Sequence, residues 1–389
     1  MSTDLVERVR SRLISSGTAV TSAAVATAVR EEAGGLVGDA DVLTALRMLQ
    51  QEFLGAGVLE PLLRDPGVTD VLVTGPEEVW VDHGDGLRHA QVTFTDEDAV
   101  RRLAQRLALT AGRRLDDAHP WVDAWLPQIG ASGAVRLHAI LSPVAAGGTC
   151  ISLRVLRPAV HDLHTLERVG TFDAPTAAVL RSIITARLAF LITGGTGAGK
   201  TTLLAGMLGE TAPSERIVCV EEAGELHPEH PHVVRLVTRP PNIEGAGEIR
   251  IQDLVRQALR MRPDRLVVGE VRGSEVCELL AALNTGHDGG SGTVHANSPS
   301  EVPARMEALA ALGGLGRAAL HSQLAAAIQV VLHVRRSAVR SRHLAGIGVL
   351  RRDGDRVRVL PAWDDDAGWG PGAEQLAELL GAEGGVVPC

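Results

Sequence analysis

The residues Gly194-Gly195-Thr196-Gly197-Ala198-Gly199-Lys200-Thr201 match the spacing G-x-x-x-x-G-K-[ST]. That spacing serves phosphate chemistry. Glycines let the backbone close around an anion, so that successive N–H groups and the positive end of a following helix face it. Lys200 would then reach the β/γ oxygens and the Thr201 hydroxyl would ligate Mg²⁺, with the binding segment running from Gly194 to Thr202. Lys200 is also the only lysine in a chain with 38 Lys+Arg. Where almost every other positive charge has become arginine, a retained lysine marks a place that needs a compact, mobile ammonium.

Acids stand at two other points. Glu270 follows the apolar run Leu266-Val267-Val268-Gly269, and Glu221 and Glu222 follow the run over 216–220. In a parallel sheet the carboxyl ends of the strands open onto the ligand crevice. Glu270 would therefore project toward Mg²⁺ and its waters, and Glu221 or Glu222 would supply a water-positioning carboxylate or general base, with Glu221 expected to position the attacking water because it directly follows the buried strand. The competing reading makes Glu270 a surface glutamate and the other two solvated loop acids. In Thr293-Val294-His295-Ala296-Asn297 a strand delivers His295 and Asn297 to the same edge. His295 there is either a sensor of the γ-phosphate or a satisfied structural histidine.

The elements that must position these groups follow from hydrophobic period and turn residues. Residues 5–51 have helical spacing broken by Gly34-Gly35 and Gly38, which predicts a small bundle. From about residue 57 short strands are expected at 68–73, 79–81, 134–140 and 149–155, with an amphipathic helix at 96–109 capped by Thr95. Residues 158–174 lack strand periodicity and read as a linker. Beyond it come a helix at 175–186, a strand at 188–193 and a helix at 201–208, then a strand at 216–220 and a helix at 251–261. The alternation continues with strands at 266–269 and 292–295 around a helix at 274–283. Apolar strands alternating with helices imply an α/β domain with a parallel sheet covered on both faces. A hairpin around Asp353-Gly354-Asp355 and a weak acidic helix at 373–380 close the chain. The expected divisions are 1–55 helical, 56–157 α+β, 158–174 linker, 175–343 nucleotide-binding and 344–389 tail.

With 45% hydrophobic and 22% charged residues the 389-residue chain has globular composition. A net charge of −9 disfavours a general electrostatic grip on nucleic acid. Cys150, Cys219, Cys277 and Cys389 are scattered singly, which supports neither a zinc module nor a disulfide framework and suits a reducing cytosol. No apolar run of about 18 residues or more appears, so no membrane span is expected, and any membrane contact is expected through partners.

Several segments together resemble a known family. Residues 194–202, 259–273 (Leu-Arg-Met-Arg-Pro-Asp-Arg-Leu-Val-Val-Gly-Glu-Val-Arg-Gly), 284–289 and 293–299 are similar to the P-loop, Walker B and histidine-box segments of the secretion-superfamily ATPases. Within that superfamily they look like the CpaF-like branch that drives Tad/Flp (type IVc) pili. Residues 68–76, 114–123 and 239–245 are similar to that branch too, so the resemblance covers roughly residues 55 to 340. It implies a RecA-like P-loop ATPase domain hinged to a smaller N-terminal α+β domain; the N-terminal helical segment read from spacing lies outside the resemblance. It also implies a homo-oligomeric, hexameric ring that uses ATP and Mg²⁺ and sits in the cytoplasm at the inner face of the cell membrane, held there by inner-membrane platform proteins. By motif, arginines that contact the nucleotide phosphates fall on Arg136 and Arg154; the competing reading is surface arginine. The family's acidic pattern I-E-D-x-x-E-L has Glu222 where Asp is usual, which leaves open which of Glu221 and Glu222 acts. Conjugation and type IV secretion ATPases share these motifs, so DNA transfer is an alternative role. A nucleotide-gated scaffold with little turnover is another.

Overall fold

The computed structural model describes residues 8, 9, 12, 22–33, 55–126, 134–156, 161–242, 245–337 and 342–381. The chain divides into two compact units, residues 1–157 with 242–244, and residues 158–241 with 245–389. Of the bundle expected over 5–51, the helix α1 (Ser22–Ala33) and helical positions 8, 9 and 12 are described; the rest lies outside the described residues.

In the first unit α1 is followed by α2 (Glu60–Arg64), β1 (Asp70–Thr74), β2 (Val79–Asp82), β3 (Leu87–His89), α3 (Glu97–Thr110), β4 (Trp121–Leu126), β5 (Val135–Ile140) and β6 (Cys150–Val155). The strands form one sheet in the order β3-β2-β1-β6-β5-β4 with every neighbouring pair antiparallel. Alternation sets its two faces. Val135, Leu137 and Ala139 of β5 are buried, with Val100, Leu103 and Leu107 of α3 in the same core, while Arg136 and His138 point to the other face. α3 is capped by Asp96 rather than by Thr95, because the Asp96 carboxylate accepts the Ala99 N–H at 2.7 Å. A carboxylate also complements the positive helix end, an advantage the hydroxyl lacks.

The second unit runs α4 (Leu163–Arg168), α5 (Ala174–Thr185), β7 (Phe190–Thr193), α6 (Lys200–Gly209), β8 (Ile217–Glu221), β9 (Val233–Val237), α7 (Ile251–Ala258), β10 (Arg265–Val271), α8 (Glu275–Leu283), β11 (Ser291–Val294), α9 (Val302–Leu312), α10 (Arg317–Ala327), β12 (Val330–Arg336), β13 (Arg342–Asp353), β14 (Arg356–Asp364), β15 (Gly368–Trp369) and α11 (Ala373–Leu379). Nine strands make one sheet, ordered β15-β14-β13-β12-β7-β11-β10-β8-β9. The run from β12 to β9 is parallel and the three strands at the other end are antiparallel. Two apolar clusters cover its two faces, one built with α5 and α6 and the other with α7 to α10. This explains why β7 is buried at every position.

Two expected divisions fail. The segment read as a linker contains α4, capped by Asp162 at Thr165 N (2.7 Å), and its Leu163 and Leu166 are buried in the same cluster as α6. The expected boundary at residue 343/344 falls inside β13, which pairs with β12 along its length, so the terminal hairpin extends the sheet. The helix expected over 251–261 leaves α geometry after Ala258 and ends in a 3₁₀ turn, with Arg262 in the left-handed region.

Arg265 begins β10 and is 1% exposed. Its guanidinium donates to Glu215 Oε2 (2.9 Å) and Oε1 (3.3 Å), to the Ile184 carbonyl (2.8 Å) and to the Gly289 carbonyl (3.4 Å), joining the loop ends beneath the sheet. A buried cation is tolerable only while its counter-charge stays. Glu215→Ala should therefore lower unfolding stability by about 3–5 kcal/mol. In chemical denaturation, Arg265→Met combined with Glu215→Leu should recover a large part of that loss.

Candidate functional site

The carboxyl ends of β7, β11, β10 and β8 lie side by side, since these strands are parallel neighbours in the order β7-β11-β10-β8. The candidate residues of this unit lie at or just beyond those ends, Glu221 and Glu270 still within β8 and β10. After β7 the chain turns through Gly194 to Gly199 into α6. Gly194 has φ +150°, and a Cβ there would collide with the Val334 carbonyl oxygen of β12. Gly199, with φ +98°, is the left-handed N-cap from which α6 starts. Gly195, Thr196 and Gly197 form an exposed crest while Ala198 is buried in the core beneath. Thr201 and Thr202 follow in the first turn of α6, half-buried.

Lys200 is 8% exposed, and its Nζ donates to the Gly194 and Gly195 carbonyls, each at 3.0 Å, lying 3.4 Å from His295 Nε2. His295 follows β11, and its Nε2 is 2.5 Å from Glu270 Oε1. Burial and the neighbouring Lys200 charge hold the imidazole below its ordinary pKa, against the opposing pull of Glu270. Burial alone would raise Glu270. The Arg272 hydrogen bond and charge, with His295 and Lys200 behind them, outweigh that and keep its carboxyl below the usual range.

Arg272 is the group that reading along the chain missed. Its Nη2 is 2.5 Å from Glu270 Oε2 and its Nη1 donates to Glu222 Oε2 at 3.2 Å. Charged and polar groups thus run without a break from Lys200 through His295, Glu270 and Arg272 to Glu222. The available signal was the i, i+2 spacing of Glu270 and Arg272 along an extended segment, which puts both on one face. The turn carrying Arg272 is fixed by Glu275, whose Oε1 accepts the Arg272 N–H (2.6 Å) and the Gly273 N–H (2.7 Å).

The two acids after β8 differ in surroundings. Glu221 is 3% exposed; its Oε1 accepts the Glu225 and Leu226 N–H groups at 3.1 and 2.9 Å, while Oε2 is buried without a hydrogen-bond donor among the described residues. Burial pushes its pKa up to about 7, against the lowering by those two N–H groups. Glu222 is more open and held by Arg272. Asn297 lies past the end of β11 in the loop, its N–H donated to Glu301 Oε2 at 3.1 Å.

Thr201 and Glu270 offer a hydroxyl and an ionised carboxylate, hard oxygen donors of the kind Mg²⁺ takes. Among the described residues no cluster of three or more His, Cys, Asp or Glu could hold a metal by itself. A donor set this small suits an ion completed by phosphate oxygens and water.

Arg136 and Arg154 belong to the first unit. They are direct cross-strand partners on β5 and β6, in a row that also pairs Asp70 with Arg154 and Trp125 with Arg136. Arg136 forms a two-point pair with Asp123 (3.0 and 2.7 Å) and lies 5.5 Å over the Trp125 ring. Its acid comes from across the sheet, where neighbours along the chain give no sign of it.

Among the described residues no helix is long and apolar enough to cross a membrane. The sequence pattern of the family described as Type II/IV secretion system protein matches residues 52–352. A putative conjugal transfer protein of Mycobacterium tuberculosis is 65% identical over 346 residues, covering 89% of this chain and 98% of that protein. The type IV secretion system protein PtlH of Bordetella pertussis is 31% identical, covering 62% of this chain and 76% of its own. Among solved structures, the pilus retraction motor PilT with bound ADP aligns with TM-score 0.53 at 22% identity, over 76% of this chain and 83% of PilT. That likeness establishes the α/β fold of the RecA-like ATPases. With the family pattern spanning most of its length, this chain belongs to the type II/IV secretion system protein family.

Proposed function

We propose that the chain is a Mg²⁺-dependent ATPase whose hydrolysis cycle does mechanical work on a membrane-embedded pilus or secretion machine of the Tad/Flp kind. In this reading it acts as a hexamer docked to inner-membrane platform proteins at the cytoplasmic face. The observation that carries the reading is the phosphate loop with Lys200 inside it, joined to Glu270 through His295. The loop N–H groups and Lys200 would hold the phosphates. Mg²⁺, held by Thr201 and through water by Glu270, would neutralise charge on them. His295, neutral at pH 7, would sense the γ-phosphate. For the attacking water we assign Glu222, with Glu221 serving as the anchor of the loop at 225–226. The support is that Glu221 is buried and spends one oxygen on backbone N–H groups, whereas Glu222 is exposed on the Arg272 side. Arg136 and Arg154 are proposed as phosphate-binding groups. Two arginines directly opposite in a ladder repel each other, and an anion relieves that.

A DNA-transfer role is the second reading, favoured by the likeness to the mycobacterial putative conjugal transfer protein. The net charge of −9 speaks against direct DNA contact. A salt-dependent mobility shift of DNA at physiological ionic strength would support transfer, and its absence the pilus or secretion role.

Mg-ATP should protect Lys200 from an amine-reactive label followed by peptide mass spectrometry. Phosphate release should be readily measurable for the unaltered protein, which a nucleotide-gated scaffold would not show. Glu270→Gln and Glu222→Gln should each retain ATP binding and slow phosphate release by about 10²-fold or more, the scale of a lost catalytic acid-base group. Unchanged labelling at saturating ATP, or full turnover in Glu270→Gln, would contradict the reading.

The Glu221 carboxyl carries a pH signature. Its folded pKa of about 7 lies above the ordinary 4.5, so the native state binds this proton more tightly than the unfolded chain. Stability is therefore full below about pH 4.5 and falls as pH rises toward 7. The difference amounts to at most about 3 kcal/mol. Glu221→Gln should remove that decline, gaining on wild type between pH 5 and pH 8 in urea unfolding.

A further inference from the structure

The phosphate loop has a second wall. The acids and His295 approach it from β11, β10 and β8, on one side of β7. On the other side stand β12 and β13, paired so that Val334 faces Leu344 and Arg336 faces Arg342. Val334 and Leu344 are buried in the cluster that also contains Ala198 and Leu203. By strand alternation Arg336 and Arg342 share their face, the one on which α6 packs. The contact is close: a Cβ built on Gly199 would lie 3.5 Å from Arg342 Cδ and 4.0 Å from its Cβ. The stem of Arg342 thus rests on the loop residue immediately before Lys200.

The guanidinium at the end of that stem is exposed and forms no hydrogen bond or ion pair with any described residue. Arg335 and Arg336 are exposed beside it. Arg336 and Arg342 therefore share the face at the rim of a phosphate loop in a protein of net charge −9, while Arg335 alternates to the other face.

We propose that Arg342 is a nucleotide-binding residue that contacts the α/β-phosphate end of the nucleotide from the side opposite the catalytic acids. This rests on the ATP-binding reading above and deepens it. The backbone around Gly199 and Thr201 cradles the α- and β-phosphates, while Lys200 reaches the β/γ oxygens. A guanidinium approaching over Gly199, away from Glu270 and His295, meets phosphates common to ATP and ADP. It therefore strengthens both ligands alike and does not read the γ-phosphate.

The test is calorimetric binding of Mg-ATP and Mg-ADP to the full chain. Arg342→Ala should raise both dissociation constants about tenfold or more, the scale of one charge-assisted hydrogen bond. The ratio of the two constants should stay at its wild-type value. Arg342→Lys should restore part of the affinity, since a point charge lacks the planar fork. Arg356→Ala, at the far end of the hairpin, controls for net charge and should bind as wild type does. Failure of wild type itself to bind either nucleotide overturns the ATP-binding reading. Wild-type binding matched by Arg342→Ala for both nucleotides overturns this proposal alone, as does weakening confined to ATP. Far-UV circular dichroism of each variant confirms that the fold is retained.

Discussion

A carboxylate at the end of a buried strand has lost most of its water, and something else must compensate for that loss. Three acids at the ends of β8 and β10 face this constraint within a small volume, and the site is the set of solutions. Glu270 remains charged because Arg272 and, behind it, His295 and Lys200 surround it. Glu222 remains near solvent and shares Arg272. Glu221, buried and held by two backbone N–H groups, with no cation hydrogen-bonded to it among the described residues and Arg235 the only charge that lowers it, has its proton affinity raised instead. Because every compensating group belongs to a different element, the charge balance also ties the loops after β8, β10 and β11 to the phosphate loop.

What could be read along the chain was what local chemistry dictates. The phosphate loop is legible because its glycines are required by backbone conformation and by the close approach to Val334, both of which leave their mark on residue type. The acids were legible by position, since each follows a strand whose continuous apolar run announces burial at every residue. Arg272, the Asp123–Arg136 pair and Arg342 were not, because their partners are contributed across strands or turns that residue type does not specify. α4 was missed for a similar reason. Six residues with two buried leucines give too short a period to recognise, and its burial depends on α6. β3 has three exposed residues of which Leu87 alone is apolar, so it carries no alternation to read. β9 is an edge strand with only partial burial, which blurs its alternation. The expected boundary near residue 343 failed because strand pairing continues past the point where the familiar motifs stop.

The first unit shows how cross-strand context changes the meaning of a residue. Arg136 is at once a phosphate-binding candidate, a salt-bridge partner of Asp123 and a cation over Trp125. Asp123 is held below the usual carboxylate range chiefly by that same hydrogen bond. An anion arriving at Arg136 would compete with a carboxylate already in place, so the pair sets a threshold that a weakly charged ligand does not pass. Arg154 has Asp70 as its outer neighbour in the row, whereas the outer neighbour of Arg136 is Trp125 and its acid, Asp123, comes from a different register position of the same strand.

Contact between Gly194 and the Val334 carbonyl has a mechanical meaning. With no side chain between them, the phosphate loop and β12 have no compliant layer to absorb relative motion. β12 is in turn zipped to β13, β13 to β14, and α11 seals the end with Leu376 in the core. Displacement of the loop would therefore bear directly on β12 and, through strand pairing, on the terminal hairpin. The part of the chain that looks like a tail in the sequence is thus built onto the strand against which the phosphate loop rests.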